Sequence, residues 1–567
     1  MSRPATRNLA ITMMAAIVAA VLFFLIMPPL ARVVVVPDPA RRDDGASVVR
    51  GAFHVHSDRS DGSGSFNEIA EAARRAGLDF VILTDHGDGT RPPRAPTYHR
   101  GVLCVDAVEI STDGGHYIAL NLPVTPYPLG GEAHGVVEDV ARLGGFGVVA
   151  HPASPKPTLR WRDWNLPVDG VEWLNGDSQW RDDGVGALAL AAMGYWLRAP
   201  ESVARLLDRP DAALAQWDAQ TAVRPVVGIG GTDAHARLAT GVREDGYEES
   251  LAVSFPGYEP LFRAFAVRVR LSRAWRGDAM TDAQALLSAI RVGRTFTAID
   301  ALAHPARFSY FAERGAQLVE MGGRVDTTSP VSLRARVAGP PEAEMVLVRN
   351  GLPVARARAE LEHLIPAGAP AAAYRVEVHL PAAPGTPPVP WIVGNPIYVG
   401  DRVVAVTPPR AAPASVTALD GPDGWHAEQD ADSVAEVDTV GTVVRLRFRL
   451  AEGPAPHAAA VYEVAAGTLM GYDWLNFDVV SSQPVRASVQ LRVAGREDLR
   501  WRRSFYAGPE TRSVRVQLTE LTPVTPALAA RPDLGLVESV MVVVDAVNTP
   551  PGTAGTVSMI APRLTAD

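Results

Sequence analysis

The stretch "GAFHVHSDRSDGSG" (residues 51–64) decides how the first half of this chain is read. It sets His54 and His56 on alternate positions and places Asp61 five residues further on, in a turn loosened by Gly62 and Gly64. Alternate side chains of a strand project to one face, so the two imidazoles form a pincer and the carboxylate can swing back to the same point. An isolated H-x-H is more often a polar loop with two solvated rings. The pair gains meaning only from what the other strand ends carry.

Outward from this stretch, apolar runs end at "HVH" (56), "DFVILTDH" (86), "VLCVDAVEI" (110), "FGVVAHP" (152), "VDGVEWLN" (175) and "VVGIGGTDAH" (235). Between the first two lies a helical segment, with Ser65 and Glu68 in capping-box spacing and Ile69, Ala72, Ala73 and Ala76 on one face. Alternating strands and helices predict an α/β fold with a parallel sheet or barrel, whose site lies at the carboxyl ends of the strands. At or just beyond those ends lie His54, His56, His86, Glu109, His151, Asp233 and His235, joined by His116 at the start of the strand-like "HYIALNL" and by Asp61 on the first loop. Eight of the thirteen histidines fall between residues 54 and 235, and six of the eight belong to this set. Chance placement accounts for one or two such donors, not for nine.

Imidazoles mixed with carboxylates, without thiolates, suit Mn, Zn or Fe. Nine donors exceed the needs of one ion and predict two or three divalent metal ions, with Glu109 as the bridge. A water held between such ions becomes hydroxide near neutral pH, which predicts hydrolysis without a protein nucleophile.

The ordered segments "HVHSDRSDG", "LTDH", "VEIS" with "GGHYIAL", "AHP" and "GTDAH" resemble the motifs of the polymerase and histidinol phosphatase (PHP) superfamily of metal-dependent hydrolases. The resemblance covers about residues 50–300 and includes "GRTFTAI" (293–299) as a closing strand. It implies a distorted seven-stranded β/α barrel, a trinuclear site with all nine donors as ligands, and Asp85 as an acid supporting them. On sequence alone Asp85 reads equally as the end of its strand. The N-terminal segment, "WIVGNPIYV" (391–399) and added β-domains resemble the carbaryl-hydrolase branch, whose members include carbamate and aryl esterases.

The remaining candidates are open. Lys156, the only lysine, and Arg160 follow His151, and Arg237 follows His235. They are placed to meet a phosphate or a developing oxyanion, though arginines in so arginine-rich a chain are usually surface charges. Trp161, Trp164, Trp173, Trp180, Trp196 and Trp217 either line an apolar pocket for an aromatic substrate or pack helices. His99 and His134 are expected in solvent.

With 567 residues, 47% of them hydrophobic, the chain suffices for several cores, and its net charge of −9 argues against nucleic acid as a partner. The single Cys104 excludes an internal disulfide framework. Residues 9–27, "LAITMMAAIVAAVLFFLIM", carry no charge and follow Arg3 and Arg7, which predicts an N-terminal transmembrane helix that leaves the catalytic domain periplasmic, or a secreted protein if it is cleaved. The expected domains are an anchor and linker (1–46), the metallohydrolase barrel (47–305), a small β-sandwich (306–406) and, beyond a proline-rich joint near 407–414, a C-terminal jelly-roll-like sandwich (407–567). Short alternating runs such as "VSLRARV" (331–337) and "ASVQLRV" (487–493) support both sandwiches. Trp425, Trp474 and Trp501 leave glycan contact open for the last of them. The expected activity is phosphoester cleavage by a metal-bridging hydroxide. Its alternatives are carboxylic or carbamate aryl-ester hydrolysis and a non-catalytic glycan-binding role.

Overall fold

A computed structural model describes residues 3–26, 32–33, 47–181, 183–239, 252–253, 256–304, 307–400, 415–419, 424–493, 495–525 and 531–566. The linker at 34–46 and the joint at 407–414 lie outside the described residues.

The donor-bearing region is built on two sheets. The strands of the first that concern the site are β1 (Ser47–Val55), β2 (Phe80–Leu83) and β3 (Val102–Asp106). The second is β4 (Val108–Thr112), β5 (Gly115–Leu120), β6 (Phe146–Val149), β7 (Gly170–Asn175) and β8 (Val227–Gly231), in the spatial order β8-β7-β6-β5-β4. β2 pairs parallel with both β1 and β3, as its continuous apolar run predicts for a strand buried on both faces. β1 is also flanked by an antiparallel partner, β9 (Ala266–Leu271), which pairs in turn with β10 (Thr295–Ala298). β10 pairs antiparallel with Ile392–Gly394, so the same sheet includes strands from residue 47 to residues beyond 390. The helix expected between β1 and β2 is α2 (Phe66–Arg75), and Ser65 and Glu68 cap each other reciprocally.

This arrangement corrects the expected β/α barrel. Among the described residues, strands make up 41% and eight helices 20%, divided among several separate sheets. The physical reason lies in the connections. β4 and β5 form a hairpin through Asp113 and Gly114, and β5–β6 and β9–β10 also pair antiparallel. Antiparallel neighbours need no crossover helix, so the strict β/α alternation that closes a barrel is lost.

The N-terminal expectation is corrected as well. The uncharged run falls in helix α1 (Arg3–Ile26). No helix among the described residues is long and apolar enough to cross a membrane. The transmembrane helix, the membrane as partner and the single-pass location inferred from them are therefore not supported.

Residues 415–566 form two six-stranded sheets around a core of their own. Trp425 and Trp501, candidates for glycan contact, lie in that core at 7% and 5% exposure, and Trp474 is covered by Arg515, whose Cζ is 3.7 Å from the ring centroid.

Near the junction of β1, β9 and β10, Asp300 is buried between Arg268 and Arg50, with Arg50 Nε 3.0 Å from Oδ2. Burial alone would raise the Asp300 pKa, but Arg268, His304 and Arg50 hold it down at about 2. The folded value lies below the unfolded one, so its contribution is complete above about pH 4 and is lost as pH falls through about 2. Asp300→Asn is expected to cost about 3 kcal/mol at neutral pH, because it strands buried Arg268. Urea unfolding at pH 7 and again toward pH 3 checks this, with the deficit shrinking as pH falls.

Candidate metal centre

All nine donors named from the sequence meet in one place. Four overlapping groups, His56/Asp61/His86/His235, His54/Glu109/His151, His54/His56/Asp233 and His86/Glu109/His116, each bring their ligating atoms within 4.8 Å of one another. They arrive from both sheets. Single bridges Val55–Ala234 and His86–Glu109 tie the sheet edges together beside the cluster, and the 232–235 loop docks on the end of β1 through His56 N to Ala234 O (3.0 Å) and Thr232 N to Phe53 O (2.8 Å).

The pincer forms differently from a regular strand. His54 has φ 65°, and the pairing of β1 with β2 shifts register between Ala52 and Val55. His151 (φ 29°) and Asp233 (φ 48°) are left-handed too. Such backbone costs on the order of 1–3 kcal/mol per residue, and here it falls on three donors.

Glu109, 1% exposed, faces both halves of the cluster. Its Oε1 is 2.9 Å from His116 Nδ1 and 2.9 Å from His151 Nε2. Its Oε2 is 3.3 Å from His54 Nε2, 3.2 Å from His56 Nε2 and 3.4 Å from His86 Nδ1. Three histidines have their outer nitrogen on an acceptor: His54 Nδ1 on Glu172 Oε1 (2.7 Å), His151 Nδ1 on the Leu159 carbonyl (3.2 Å) and His235 Nδ1 on the Asp233 carbonyl (3.0 Å). The outer nitrogen then carries the proton, and the inner Nε2 turns a lone pair toward carboxylates that are themselves acceptors.

Acceptors aimed at acceptors need a shared cation. His86 Nδ1 is buried without a hydrogen-bond partner, and His54 Nε2 stands 3.1 Å from His56 Nε2. Donor separations of 3.1–3.4 Å are the edges subtended by metal–donor bonds of about 2.1 Å. The donor set therefore fits divalent cations.

In the cation-free chain, protons serve instead. Burial would depress the His54 and His56 pKa values, but Asp233, Glu172 and Glu109 around His54, and Asp233, Asp61 and Glu109 around His56, outweigh it and hold both well above the usual range. His151 and His235 are raised against the same burial by Glu109 and by Asp61 with Asp233. Burial pushes Glu109, Asp233 and Asp61 upward, yet the surrounding imidazoles hold all three below the ordinary carboxylate range.

Asp85 does not enter the donor groups. It accepts from Ser57 N, Ser57 Oγ and Ser60 Oγ, each at 2.7 Å, and so fixes the turn that carries Asp61. Lys156 is exposed on the turn after His151, and Arg237 is half-buried with an Nε that has no hydrogen-bond partner among the described residues. Among the tryptophans, Trp161, Trp173 and Trp217 are packed in the core at 2% exposure or less, whereas Trp196 is 90% exposed. His134, expected in solvent, is half-buried.

The sequence reading missed Glu172 and Asn175. Fully buried Glu172 holds His54 by one oxygen and accepts from His151 N by the other (2.7 Å), while Asn175 Nδ2 reaches both Glu172 (2.9 Å) and Asp233 (3.2 Å). The available signal was a charged residue inside the apolar run "VDGVEWLN", together with the paired glycines of "GIGG". A Cβ on Gly231 would lie 1.7 Å from Glu172 Oε1.

No protein-family model and no curated protein matches the chain. Among solved structures, a two-domain protein containing a predicted PHP-like metal-dependent phosphoesterase from Bacteroides vulgatus is 15% identical, over 61% of this chain and 94% of that one, at TM-score 0.30. The family 11 carbohydrate-binding module from Clostridium thermocellum, in complex with a mixed-linked tetrasaccharide, is 11% identical over 28% of this chain and 98% of its own, at TM-score 0.23. A family 30 module of the same organism is 12% identical over 27% and 98%, at TM-score 0.21. At TM-scores this low, none of these likenesses carries an argument about function.

Two outcomes are expected. Glu172→Gln should weaken Zn²⁺ or Mn²⁺ binding about 10- to 100-fold in titration calorimetry, because the replacement amide can turn a donor toward Nδ1 and the His54 tautomer is no longer fixed. Binding should also release protons and weaken as pH falls from about 8 to about 6, since the raised histidines must first lose theirs. Buffers of differing ionisation enthalpy report that release.

Proposed function

We propose that this chain is a metal-dependent hydrolase that cleaves phosphoester bonds, with His54, His56, Asp61, His86, Glu109, His116, His151, Asp233 and His235 holding two or three divalent ions. The observation that carries the reading is Glu109, whose two oxygens face separate groups of histidines. Divalent ions bound there supply an acidified water and a positive field for a developing oxyanion.

The chain's own residues do the rest. Glu172 and the Leu159 and Asp233 carbonyls keep the imidazole lone pairs turned inward. Asp85 keeps the Asp61 turn closed over the donors. On this reading Lys156 and Arg237, which follow His151 and His235 in the chain, would take the charge of the ester's non-reacting oxygens. A cleft of about 500 Å³ is lined by Asp85 and Gly87, the neighbours of His86, and by Arg59, Arg91 and Arg94. Arg59 is held by Asp106 at 2.8 Å, whereas Arg91 and Arg94 are exposed. Asp88 and Asp106 line it too, so its three cations meet three carboxylates and its net charge does not by itself select an anionic substrate.

Carboxylic or carbamate aryl-ester cleavage of the carbaryl-hydrolase type calls for an apolar aromatic pocket at the donors. Of the six tryptophans, Trp161, Trp173 and Trp217 are held in the core and Trp196 is 90% exposed, which favours the phosphoester reading over one that needs such a pocket.

Elemental analysis of metal-replete full-length protein is expected to return two or three ions per chain. Turnover of bis-p-nitrophenyl phosphate or p-nitrophenyl phosphate with Mn²⁺ or Zn²⁺ should exceed that of 1-naphthyl esters, and should fall to background in Glu109→Gln. At most one ion, or esterase activity alone, would count against the proposal.

A further inference from the structure

The C-terminal unit touches the donor-bearing unit through one sheet face, joined at its edges by Arg512, Thr522 and Asn548. Strands β11 (Val485–Val493) and β12 (Arg496–Ala507) pair so that Arg486 stands opposite Tyr506, Ser488 opposite Ser504 and Gln490 opposite Arg502. Alternation puts these side chains on one side of the sheet. Arg486, 1% exposed, donates through Nε to Asp139 Oδ2 (2.7 Å) and through Nη2 to Glu138 Oε2 (2.8 Å), both on the helix α3 (Ala133–Arg142). The Arg142 guanidinium carbon lies 3.7 Å from the Tyr506 ring centroid, and Ser504 N donates to Glu132, just ahead of the helix.

Two glycines record how close the units come. A Cβ on Gly135 would meet Ser504 Oγ at 2.7 Å, and one on Gly131, whose φ is +72°, would meet Val547 Cγ1 at 2.7 Å. A glycine inside α3 costs helix stability of about 1 kcal/mol relative to alanine, and the approach of this sheet accounts for it.

The same face reaches the hairpin that carries Glu109 and His116. Arg502 Nη2 is 2.5 Å from Asp113 Oδ2, in the turn of the β4–β5 hairpin. Asp113 N donates to Gly131 O (2.8 Å), and Arg162 donates to the Asp113 carbonyl. Three residues on, His116, the second residue of β5, points Nδ1 at Glu109.

We infer that the C-terminal β-unit completes the donor site: Arg502, through Asp113, is a positioning residue for the turn that aims His116, and Arg486 holds α3 as the base of that brace. The site rests on the metal-centre reading given above, but the brace itself is testable without metal. Hydrogen exchange on metal-free full-length protein reads it directly. In Arg502→Ala the amides of 111–118 are expected to exchange about tenfold faster, more so in Arg486→Ala/Arg502→Ala, with strand 537–545 as protected as in the parent. Arg502→Lys should restore most of the protection. Zn²⁺ titration should show one ion weakened about tenfold or more in Arg502→Ala.

Unchanged exchange at 111–118 in both Arg502→Ala and the double variant would overturn the inference. If the double variant does not fold, Arg502→Ala against Arg502→Lys decides alone. A parent protein that binds no Zn²⁺ would sink the metal-centre reading, while exchange at 111–118 still settles the brace.

Discussion

A carboxylate buried at 1% exposure among five imidazoles is the constraint on which the site depends. Removing an ionised carboxylate from water costs several kcal/mol unless partners with matching charge or hydrogen bonds replace the solvent. Glu109 finds those partners on β1, on the segment after β2, on β5 and beyond β6, so its burial is tolerable only when all these elements are in place. The left-handed backbone of His54, His151 and Asp233 is a consequence: the chain accepts local strain where the convergence demands it.

Two sheets serve this convergence because neither alone presents enough donors. The first contributes His54, His56 and, just past β2, His86, and the second contributes Glu109, His116, His151, Asp233 and His235 at or beyond its strand ends. The edges are joined by single bridges and by the 232–235 loop. Beneath the donors a quieter layer sets direction. Glu172, Asn175 and Asp85 never face the centre of the cluster, yet they decide which nitrogen of His54 is free and where the Asp61 turn sits. The C-terminal unit adds a layer outside that one, acting on the hairpin from its solvent side.

The donor residues were legible because chemistry demanded residue types that are conspicuous in an apolar strand. Helix α2 was legible because its capping signals are local. Glu172 was not, since a single acid in an apolar run says nothing of the histidine it will face. The tryptophans between 161 and 217 read equally as pocket or core, and burial settled Trp161, Trp173 and Trp217 as core. The barrel expectation failed because a run such as "VLCVDAVEI" does not declare its partners. It is in fact two strands, β3 and β4, belonging to different sheets, and only long-range pairing separates them. The anchor expectation is not supported, since no helix among the described residues is long and apolar enough to cross a membrane.

By itself the sequence determined the inventory of this protein: nine oxygen and nitrogen donors at the ends of apolar runs, no thiolate framework, and β-rich texture after residue 306. Side-chain chemistry and short-range periodicity are properties of neighbouring residues and need no fold to be read. Tertiary structure alone decided that the donors converge, that Glu109 stands between two groups of histidines, that the strands split over two sheets, and that a sheet face almost four hundred residues downstream leans on the His116 hairpin. Those are distances between residues far apart in the chain, set by which buried charges find compensation, and no local pattern encodes them.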